Sequence, residues 1–268
     1  MIVDWGAHMF SRDQRRFPFH PQATYIPDVS QLLDDPLAAY LDYTRREGID
    51  RAVLVQPEPY GDDHGLLLEC LAREPERLRG ASLFYPKDPD APHKLAELVK
   101  REPRTVAVRF HAHRGKETYL GSFADDGVRA LWRTAAELGL VVELHIGPNY
   151  AADASTAIAA YPSVPVLIDH LAEPHMGNPV EYAEVLGLAR FDNVYMKISG
   201  LSHISEDAPL YLDVRRFTRL VADAFGPQRL IWGNDLLQAV DAQLDHFSTA
   251  ERAQVKGGNL AALLGFEV

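Results

Sequence analysis

The chain has 268 residues, of which 47% are hydrophobic and 24% are charged, so it can bury a full core as one barrel-sized domain or as two smaller ones. Its net charge of −11 argues against duplex nucleic acid or an anionic membrane as a partner, because the overall field repels both. The single cysteine, Cys70, excludes an internal disulfide and a cysteine-based zinc site. The first residues, Met1–Asp4, are typical of a strand start and not of a signal peptide, and no uncharged window reaches membrane-spanning length, so we expect a soluble cytoplasmic protein.

Short apolar runs and helical patterns alternate along the chain. The strands are predicted at Ile2–Trp5, Ala52–Gln56, Gly80–Phe84, Thr105–Phe110, Leu140–His145, Pro165–His170, Asn193–Ser199 and Arg229–Trp232. The helices are predicted at Pro36–Glu47, Gly65–Arg73, Pro92–Arg101, Asp125–Leu138, Pro209–Phe225, Val240–His246 and Thr249–Leu264. This alternation predicts an α/β fold, a single-domain (β/α)8 TIM barrel over residues 1–268. A doubly wound open sheet is the alternative, and the absence of a GxGxxG turn after the first strand disfavours it for nucleotide binding.

The segment Met9–Asp35 has little periodicity and is longer than most loops of an α/β fold, which is typical of a functional lid. It carries Arg12, Arg15 and Arg16 in an otherwise acidic protein. Guanidinium groups bind carboxylates in a bidentate manner, so an anionic ligand could lie under this loop. The alternative is that these arginines are solvated on a mobile loop.

Polar residues occupy the C-terminal ends of the predicted strands, where a parallel barrel carries its chemistry. They are His8, Arg109, His145, His170, Lys197 and Asp235. Each alone has a structural explanation, such as a hydrogen-bonded core histidine or, for Asp235, the cap of the following helix. Because they come from different strands, we expect a common functional site.

Two chemistries fit three imidazoles and a carboxylate. The group could hold a divalent metal such as zinc, which lowers the pKa of bound water to about 7. Alternatively, Asp235 could act without metal as a general base on water, while the histidines and Arg109 polarise a carbonyl.

The order and spacing of several motifs resemble the amidohydrolase superfamily, in its amidohydrolase-2 branch. The motifs are Val3–His8, Leu54–Asp62, Val108–Phe110, Glu143–His145, Ile168–His170, Lys197–Gly200, Trp232–Asp235, Gly258–Asn259 and Leu264–Phe266. This branch includes pyrone-dicarboxylate and sulfomuconolactone hydrolases, sugar-acid lactonases and decarboxylases of aromatic acids. The resemblance covers nearly the whole chain and implies the same barrel fold.

The resemblance also implies roles for individual residues. His8, His145 and Asp235 match metal-ligand positions, and His145 and His170 also match catalytic ones. Asp235 matches the residue that takes a proton from the attacking water. Arg109, Tyr60 and Ser199 match positions that contact substrate in the lactonases.

One position departs from the family pattern. Where the family's first strand has two histidines, this chain has Gly6 and His8, so one expected ligand is missing. Glu143, which shares a strand face with His145, could replace it, and His111 with His113 is a second pair of suitable spacing. Lactonases of this superfamily can work without metal, and Gly6 favours that interpretation.

We therefore expect a hydrolase that opens a lactone or related cyclic ester of a carboxylated small molecule, with or without one divalent metal. A zinc-dependent decarboxylase of an aromatic or muconate-type acid is the second hypothesis. A catalytically inactive barrel that binds a small acid is the third, because of the missing ligand. The sequence leaves the number of subunits open.

Overall fold

Eight parallel strands form one sheet in the computed structural model, which describes residues 1–112 and 119–266. The strands are β1 (Val3–Ala7), β2 (Arg51–Val55), β3 (Leu78–Leu83), β4 (Thr105–Ala112), β5 (Val141–Ile146), β6 (Val166–Ile168), β7 (Val194–Ile198) and β8 (Leu230–Trp232). Each strand pairs with its neighbour in sequence. The predicted (β/α)8 barrel is confirmed.

Helices follow the strands and cover the outside of the barrel. They are α1 (Pro36–Glu47), α2 (Gly65–Arg73), α3 (Ala91–Arg101), α4 (Asp126–Glu137), α5 (Ala151–Ala160), α6 (Pro179–Gly187), α7 (Leu201–Ile204), α8 (Arg215–Phe225), α9 (Leu237–Gln243), α10 (Thr249–Ala253) and α11 (Asn259–Leu264). No helix among the described residues is both long and apolar enough to cross a bilayer.

Three helices were not predicted from the sequence, namely α5, α6 and the single turn α7. The residues of α5 are mostly alanine, so its apolar periodicity is weak. Helix α6 does carry a start signal that periodicity alone overlooks. Asn178 and Glu181 form a reciprocal capping box around Pro179, which stands at the first helical position.

Two predicted helices are interrupted in the structure. The predicted helix Pro209–Phe225 begins only at Arg215, because the carbonyls of Leu210 and Tyr211 accept hydrogen bonds from the Gln243 side chain instead of continuing a helix. The predicted helix Thr249–Leu264 contains a π-helical turn, Gln254–Gly258, between α10 and α11.

The barrel closes between β8 and β1 through close backbone packing. Asn234 N donates to Asp4 Oδ1 at 2.8 Å, and Tyr40 Oη donates to Asp4 Oδ2 at 2.6 Å. A Cβ atom on Gly233 would lie 1.8 Å from the Trp5 carbonyl oxygen, so only glycine fits there. The ends of the first and last strands are therefore held side by side.

The inward face of the sheet changes character along the strands. Because side chains alternate across a strand, every second residue shares a face. On one face, β4 carries Ala107, Arg109 and His111, while the paired β5 carries Val141, Glu143 and His145. An apolar layer is thus followed by a charged layer and then by imidazoles at the C-terminal mouth.

The long β1–α1 segment, Met9–Asp35, lies across the mouth and is tied to the turn after β2. His20 N donates to the Pro59 carbonyl at 2.7 Å, and Thr24 N donates to Glu58 Oε1 at 2.8 Å. These bonds fix the segment over the imidazole layer.

Candidate active site

A cavity of about 300 Å³ opens at the C-terminal mouth of the barrel. This volume suits a small ligand. The described residues that line it are His8, Thr24, Tyr25, Glu58, Arg109, His111, Tyr119, His145, His170 and His203. The structure therefore brings together four residues predicted from separate strand ends, namely His8, Arg109, His145 and His170.

Directly beneath the cavity lies a buried group of charges, which we call the interior charge cluster: Arg109, Glu143, Asp169 and Lys197. Lys197 Nζ contacts Glu143 Oε1 at 2.9 Å and Asp169 Oδ1 at 2.6 Å. Arg109 donates to Asp169 Oδ2 from Nε at 2.9 Å and from a terminal nitrogen at 2.5 Å. Two cations thus face two carboxylates where water does not reach.

The pairing keeps most of this cluster charged. Burial alone would raise the pKa of Asp169, but the Lys197 ammonium and the Arg109 guanidinium hold it well below its usual value. For Glu143, burial and the nearby Asp169 charge outweigh both cations and raise the pKa. Of the two carboxylates in the cluster, Glu143 is therefore the one that more readily holds a proton.

His8 faces the cavity as a neutral imidazole. Burial, reinforced by the Arg109 charge, lowers the pKa of His8 to about 3. Its Nδ1 lies 2.8 Å from the Val55 carbonyl oxygen. Because a carbonyl only accepts hydrogen bonds, Nδ1 carries the proton and Nε2 keeps its lone pair. His8 can accept a proton or bind a metal from Nε2, but in this tautomer it does not donate from that atom.

His170 is held by the residue after the next strand. Its Nδ1 lies 2.8 Å from Ser199 Oγ, and Ser199 is fully buried. Burial lowers the pKa of His170 well below its usual value, so this ring is also neutral. Ser199, predicted to contact substrate, therefore orients His170 in this structure.

Glu173 gathers imidazoles around one buried carboxylate. Its Oε1 lies 2.9 Å from His145 Nε2 and 3.0 Å from His203 Nδ1. The hydrogen bond to Glu173 raises the pKa of His203 despite partial burial. Of His8, His170 and His203, the last is therefore best able to carry a positive charge.

The backbone that presents Glu173 is strained. His170, Leu171, Ala172 and Glu173 have φ angles of 51°, 55°, 57° and 49°. Left-handed conformations are uncommon for residues other than glycine, and consecutive ones persist only where the surroundings enforce them. This turn after β6 brings the His170 ring and the Glu173 carboxylate next to His145.

Asp235 follows β8 and is not among the described residues that line the cavity. Its Oδ2 accepts a hydrogen bond from Leu201 N at 3.3 Å, at the start of α7, and its side chain does not cap α9. Burial raises the pKa of Asp235 to about 6, while the nearby His203 charge partly opposes this. A carboxylate with a pKa near working pH is suited to accept and return a proton.

Within the described residues, His145, His170 and Glu173 form a group able to hold a metal ion. Their candidate ligand atoms all lie within 4.8 Å of one another. Two imidazoles and one carboxylate are ligands that zinc takes in proteins, so the donor set fits a divalent cation. His8 and Asp235 are not members of this group, and the ligand set expected from the sequence stays a prediction.

Gly6 has no room for a ligand side chain. A Cβ atom there would lie 2.9 Å from Asn234 Cβ, and the φ angle of Gly6 is 157°. Glu143, one alternative to the missing histidine, lies below the mouth against Lys197. His111 lines the cavity with its ring 4.9 Å from that of His145, whereas His113 lies outside the described residues.

Tyr60 and the lid arginines, which were predicted to contact substrate or an anionic ligand, are not among the cavity-lining residues. Tyr60 is buried, and its hydroxyl accepts a hydrogen bond from Ser11 N at 2.9 Å, so it anchors the lid segment. Arg12 pairs with Asp34, and Arg16 pairs with Glu69. Neither arginine is among the cavity-lining residues.

Sequence reasoning missed several groups of the site because they lie beyond the ends of the strands. Glu173 and His203 follow their strands by several residues, beyond the reach of strand alternation. The Asp169–His175 run, which is dense in histidine and carboxylate, and the Ser199–His203 run were the available signals. Glu58 stands in a proline-bounded turn that gives no periodic signal.

Comparison with known proteins places this arrangement in a family. Residues 3–266 match the amidohydrolase family profile. The chain is 27% identical over 222 residues to 4-sulfomuconolactone hydrolase of Rhizobium radiobacter, covering 82% of this chain and 70% of that protein. It is 30% identical over 203 residues to L-fucono-1,5-lactonase of Burkholderia ambifaria, covering 71% of this chain and 66% of that protein.

A solved structure supports the same fold. The crystal structure of a probable 2-pyrone-4,6-dicarboxylic acid hydrolase from Acinetobacter baumannii superposes with a TM-score of 0.81 at 22% identity, covering 99% of both chains. With the profile match over nearly the whole sequence, the chain belongs to the amidohydrolase family.

Proposed function

We propose that the protein hydrolyses a lactone or a related cyclic ester, with Asp235 as the general base that activates water. The observation that carries the proposal is the position of this carboxylate. Its Oδ2 accepts a hydrogen bond from Leu201 N, and its charge interacts with that of His203, which lines the cavity together with Arg109. The similarity to 4-sulfomuconolactone hydrolase and L-fucono-1,5-lactonase supports a lactone as the substrate class.

In the first step, water attacks the lactone carbonyl carbon while Asp235 takes one of its protons. The carbonyl oxygen becomes an oxyanion, and protonated His203 with the guanidinium of Arg109 provides positive N–H donors at the cavity wall. The two bonds that Arg109 makes to Asp169 use only part of its five N–H groups, which leaves donors for a ligand.

In the second step, the tetrahedral intermediate collapses and the ring C–O bond breaks. The leaving alkoxide takes the proton that Asp235 holds, which restores the base and yields an open-chain hydroxy acid. A raised pKa suits Asp235 to both transfers, because the group must gain and lose a proton near neutral pH.

His145, His170 and Glu173 are the residues that would hold a divalent cation. When bound there, such an ion supplies Lewis-acid chemistry next to the carbonyl. The residues themselves orient one another through Glu173 and Ser199.

The experiment is a panel of lactones assayed by the acid that hydrolysis releases, using a pH indicator. We expect turnover by the wild type, and a loss of about 10²- to 10⁴-fold in kcat/KM in Asp235→Asn, because the amide does not accept the proton. Asp223→Asn, at an exposed position on α8, should match the wild type. Full turnover by Asp235→Asn would contradict the assignment, and release of carbon dioxide from aromatic acids would indicate a decarboxylase instead.

A further inference from the structure

A buried carboxylate faces the side of the cavity that the proposed chemistry does not use. Glu58 lines the cavity although only 5% of the residue is exposed. It lies in the turn after β2, beneath Thr24 and Tyr25 of the lid segment. A carboxylate this deeply buried is costly unless it has partners.

The two oxygens of Glu58 have different surroundings. Oε1 accepts the hydrogen bond from Thr24 N at 2.8 Å and so fastens the lid segment. Oε2 is buried and makes no hydrogen bond of regular geometry among the described residues, and the same holds for the Tyr119 hydroxyl, although Tyr119 lies close enough to Glu58 and Tyr85 for both to raise its pKa. The cavity wall therefore offers an acceptor and a hydroxyl that a bound molecule can satisfy.

The charge of Glu58 acts on its neighbours. Burial, and next the Glu58 charge, raise the pKa of Tyr25 and Tyr119. Both phenols stay protonated, so this wall presents hydrogen-bonding hydroxyls around a negative charge.

Among the described residues that line the cavity, Arg109 is the one with a permanent positive charge, and it is paired with Asp169. Its remaining N–H groups are the donors that the proposed mechanism directs at the lactone carbonyl. The lid arginines Arg12, Arg15 and Arg16 are not among the lining residues. A substrate with two or more carboxylates would therefore bring one of them close to Glu58.

We propose that Glu58 is a specificity-determining residue that selects lactones whose ring carries hydroxyl groups, as in sugar acids, and rejects dicarboxylated rings. This inference rests on the proposed lactone hydrolysis and names its substrate class. A ring hydroxyl donates to Oε2, whereas a carboxylate in the same place meets a like charge in a site with little water. Placing like charges together in this way disfavours binding of the wrong substrate.

The first test compares D-glucono-1,5-lactone with 2-pyrone-4,6-dicarboxylate as substrates. The wild type should prefer the hydroxylated lactone by about 100-fold or more in kcat/KM. Glu58→Gln should lower kcat/KM for that lactone about 10- to 100-fold, because a charged acceptor is lost. The same variant should raise kcat/KM for the dicarboxylate about tenfold.

Glu58→Gln is the informative substitution because its amide oxygen still accepts from Thr24 N, so the lid contact is retained. Tyr119→Phe, which removes one wall hydroxyl, should lower kcat/KM for the hydroxylated lactone about threefold to tenfold and leave the dicarboxylate rate unchanged. Glu137→Gln, at an exposed position of α4, is the matched control and should behave as the wild type with both substrates.

Two results would overturn the inference: a wild-type preference for the dicarboxylate, or equal losses for both substrates in Glu58→Gln. If folded wild type hydrolyses neither these compounds nor any lactone of the panel, the proposed function fails, and binding still decides the role of Glu58. Calorimetry would then compare 1,5-anhydro-D-glucitol, an uncleavable cyclic polyol, with citrate. If Glu58→Gln binds citrate more tightly than the wild type does and binds the polyol less tightly, the inference is supported. Equal citrate affinity of the variant and the wild type refutes it.

Discussion

Two layers of polar side chains lie one above the other in this barrel, and their hydrogen bonding differs. In the interior charge cluster, Lys197 pairs with Glu143 and Asp169, and Arg109 pairs with Asp169. In the imidazole layer above, His8 is held through Nδ1 by the Val55 carbonyl and His170 through Nδ1 by Ser199 Oγ. The comparison separates charged residues that pair with one another from imidazoles such as His8, whose second ring nitrogen keeps its lone pair.

The lower layer explains why the upper one is well ordered. Charges without water are stable only when they are paired, so the cluster fixes the relative positions of β4, β5, β6 and β7. The C-terminal ends of these strands, which lie above the cluster, are thereby held in fixed relative positions. Arg109 belongs to both layers, because it lines the cavity and pairs with Asp169.

The largest expected effect comes from breaking the lower layer. Lys197→Met should lower the free energy of unfolding by about 3–5 kcal/mol, because Asp169 and Glu143 lose their shared cation and remain buried. Chemical denaturation measures this change. Lys100→Met, at the exposed end of α3, should change stability by less than about 0.5 kcal/mol.

A double variant sharpens this test. Lys197→Met combined with Glu143→Gln should lose less than the sum of the two single changes, since the second change removes a charge that the first left unpaired. Strict additivity would show that the lysine and the glutamate do not interact, contrary to their 2.9 Å contact.

A smaller effect is expected from adding a side chain to the upper layer. Gly6→His should destabilise the protein by about 1–3 kcal/mol without increasing its zinc content, because Asn234 Cβ lies 2.9 Å from the new Cβ position. Thermal unfolding and metal analysis measure both outcomes. Gly187→Ala, where the nearest atom is 3.5 Å away, controls for loss of glycine. Tighter zinc binding by Gly6→His would show that the mouth of the barrel accepts another ligand.

The smallest effect should come from Ser199→Ala, which removes one hydrogen bond from His170 while leaving the ring in place. We expect a loss of about 1 kcal/mol in stability and about tenfold in kcat/KM, since the ring is less well oriented. Ser163→Ala, at an exposed position, should change neither quantity. Unchanged kinetics in Ser199→Ala would show that the orientation of His170 does not depend on this hydroxyl.

The same comparison shows what could be predicted from sequence. Residues on strands follow a period of two, so the alternation placed Arg109 and His145 correctly at the mouth. The alternation also placed Glu143 on the same strand face as His145, but a shared face does not determine how far a residue lies from the mouth of the barrel. Glu143 is one layer lower than His145 and pairs with Lys197.

Loop residues were not predictable in this way. Glu173 reaches His145 through consecutive left-handed residues that no periodic pattern indicates. Tyr60 has the residue type of a substrate contact, yet its hydroxyl is occupied by Ser11 N. The sequence did not indicate that Glu173 contacts His145 or that the Tyr60 hydroxyl is bonded to Ser11 N, because both contacts depend on how distant segments pack together.

The pH dependence of kcat/KM tests the central claim, that Asp235 is the base, most directly. A general base is active when deprotonated, and burial raises the pKa of Asp235 to about 6. The account therefore predicts a tenfold fall per unit below that pH and a second fall at higher pH, where His203 loses its proton, and Asp235→Asn should lose the acidic limb together with the activity. A wild-type rate that stays constant from about pH 5 to 8 would contradict it.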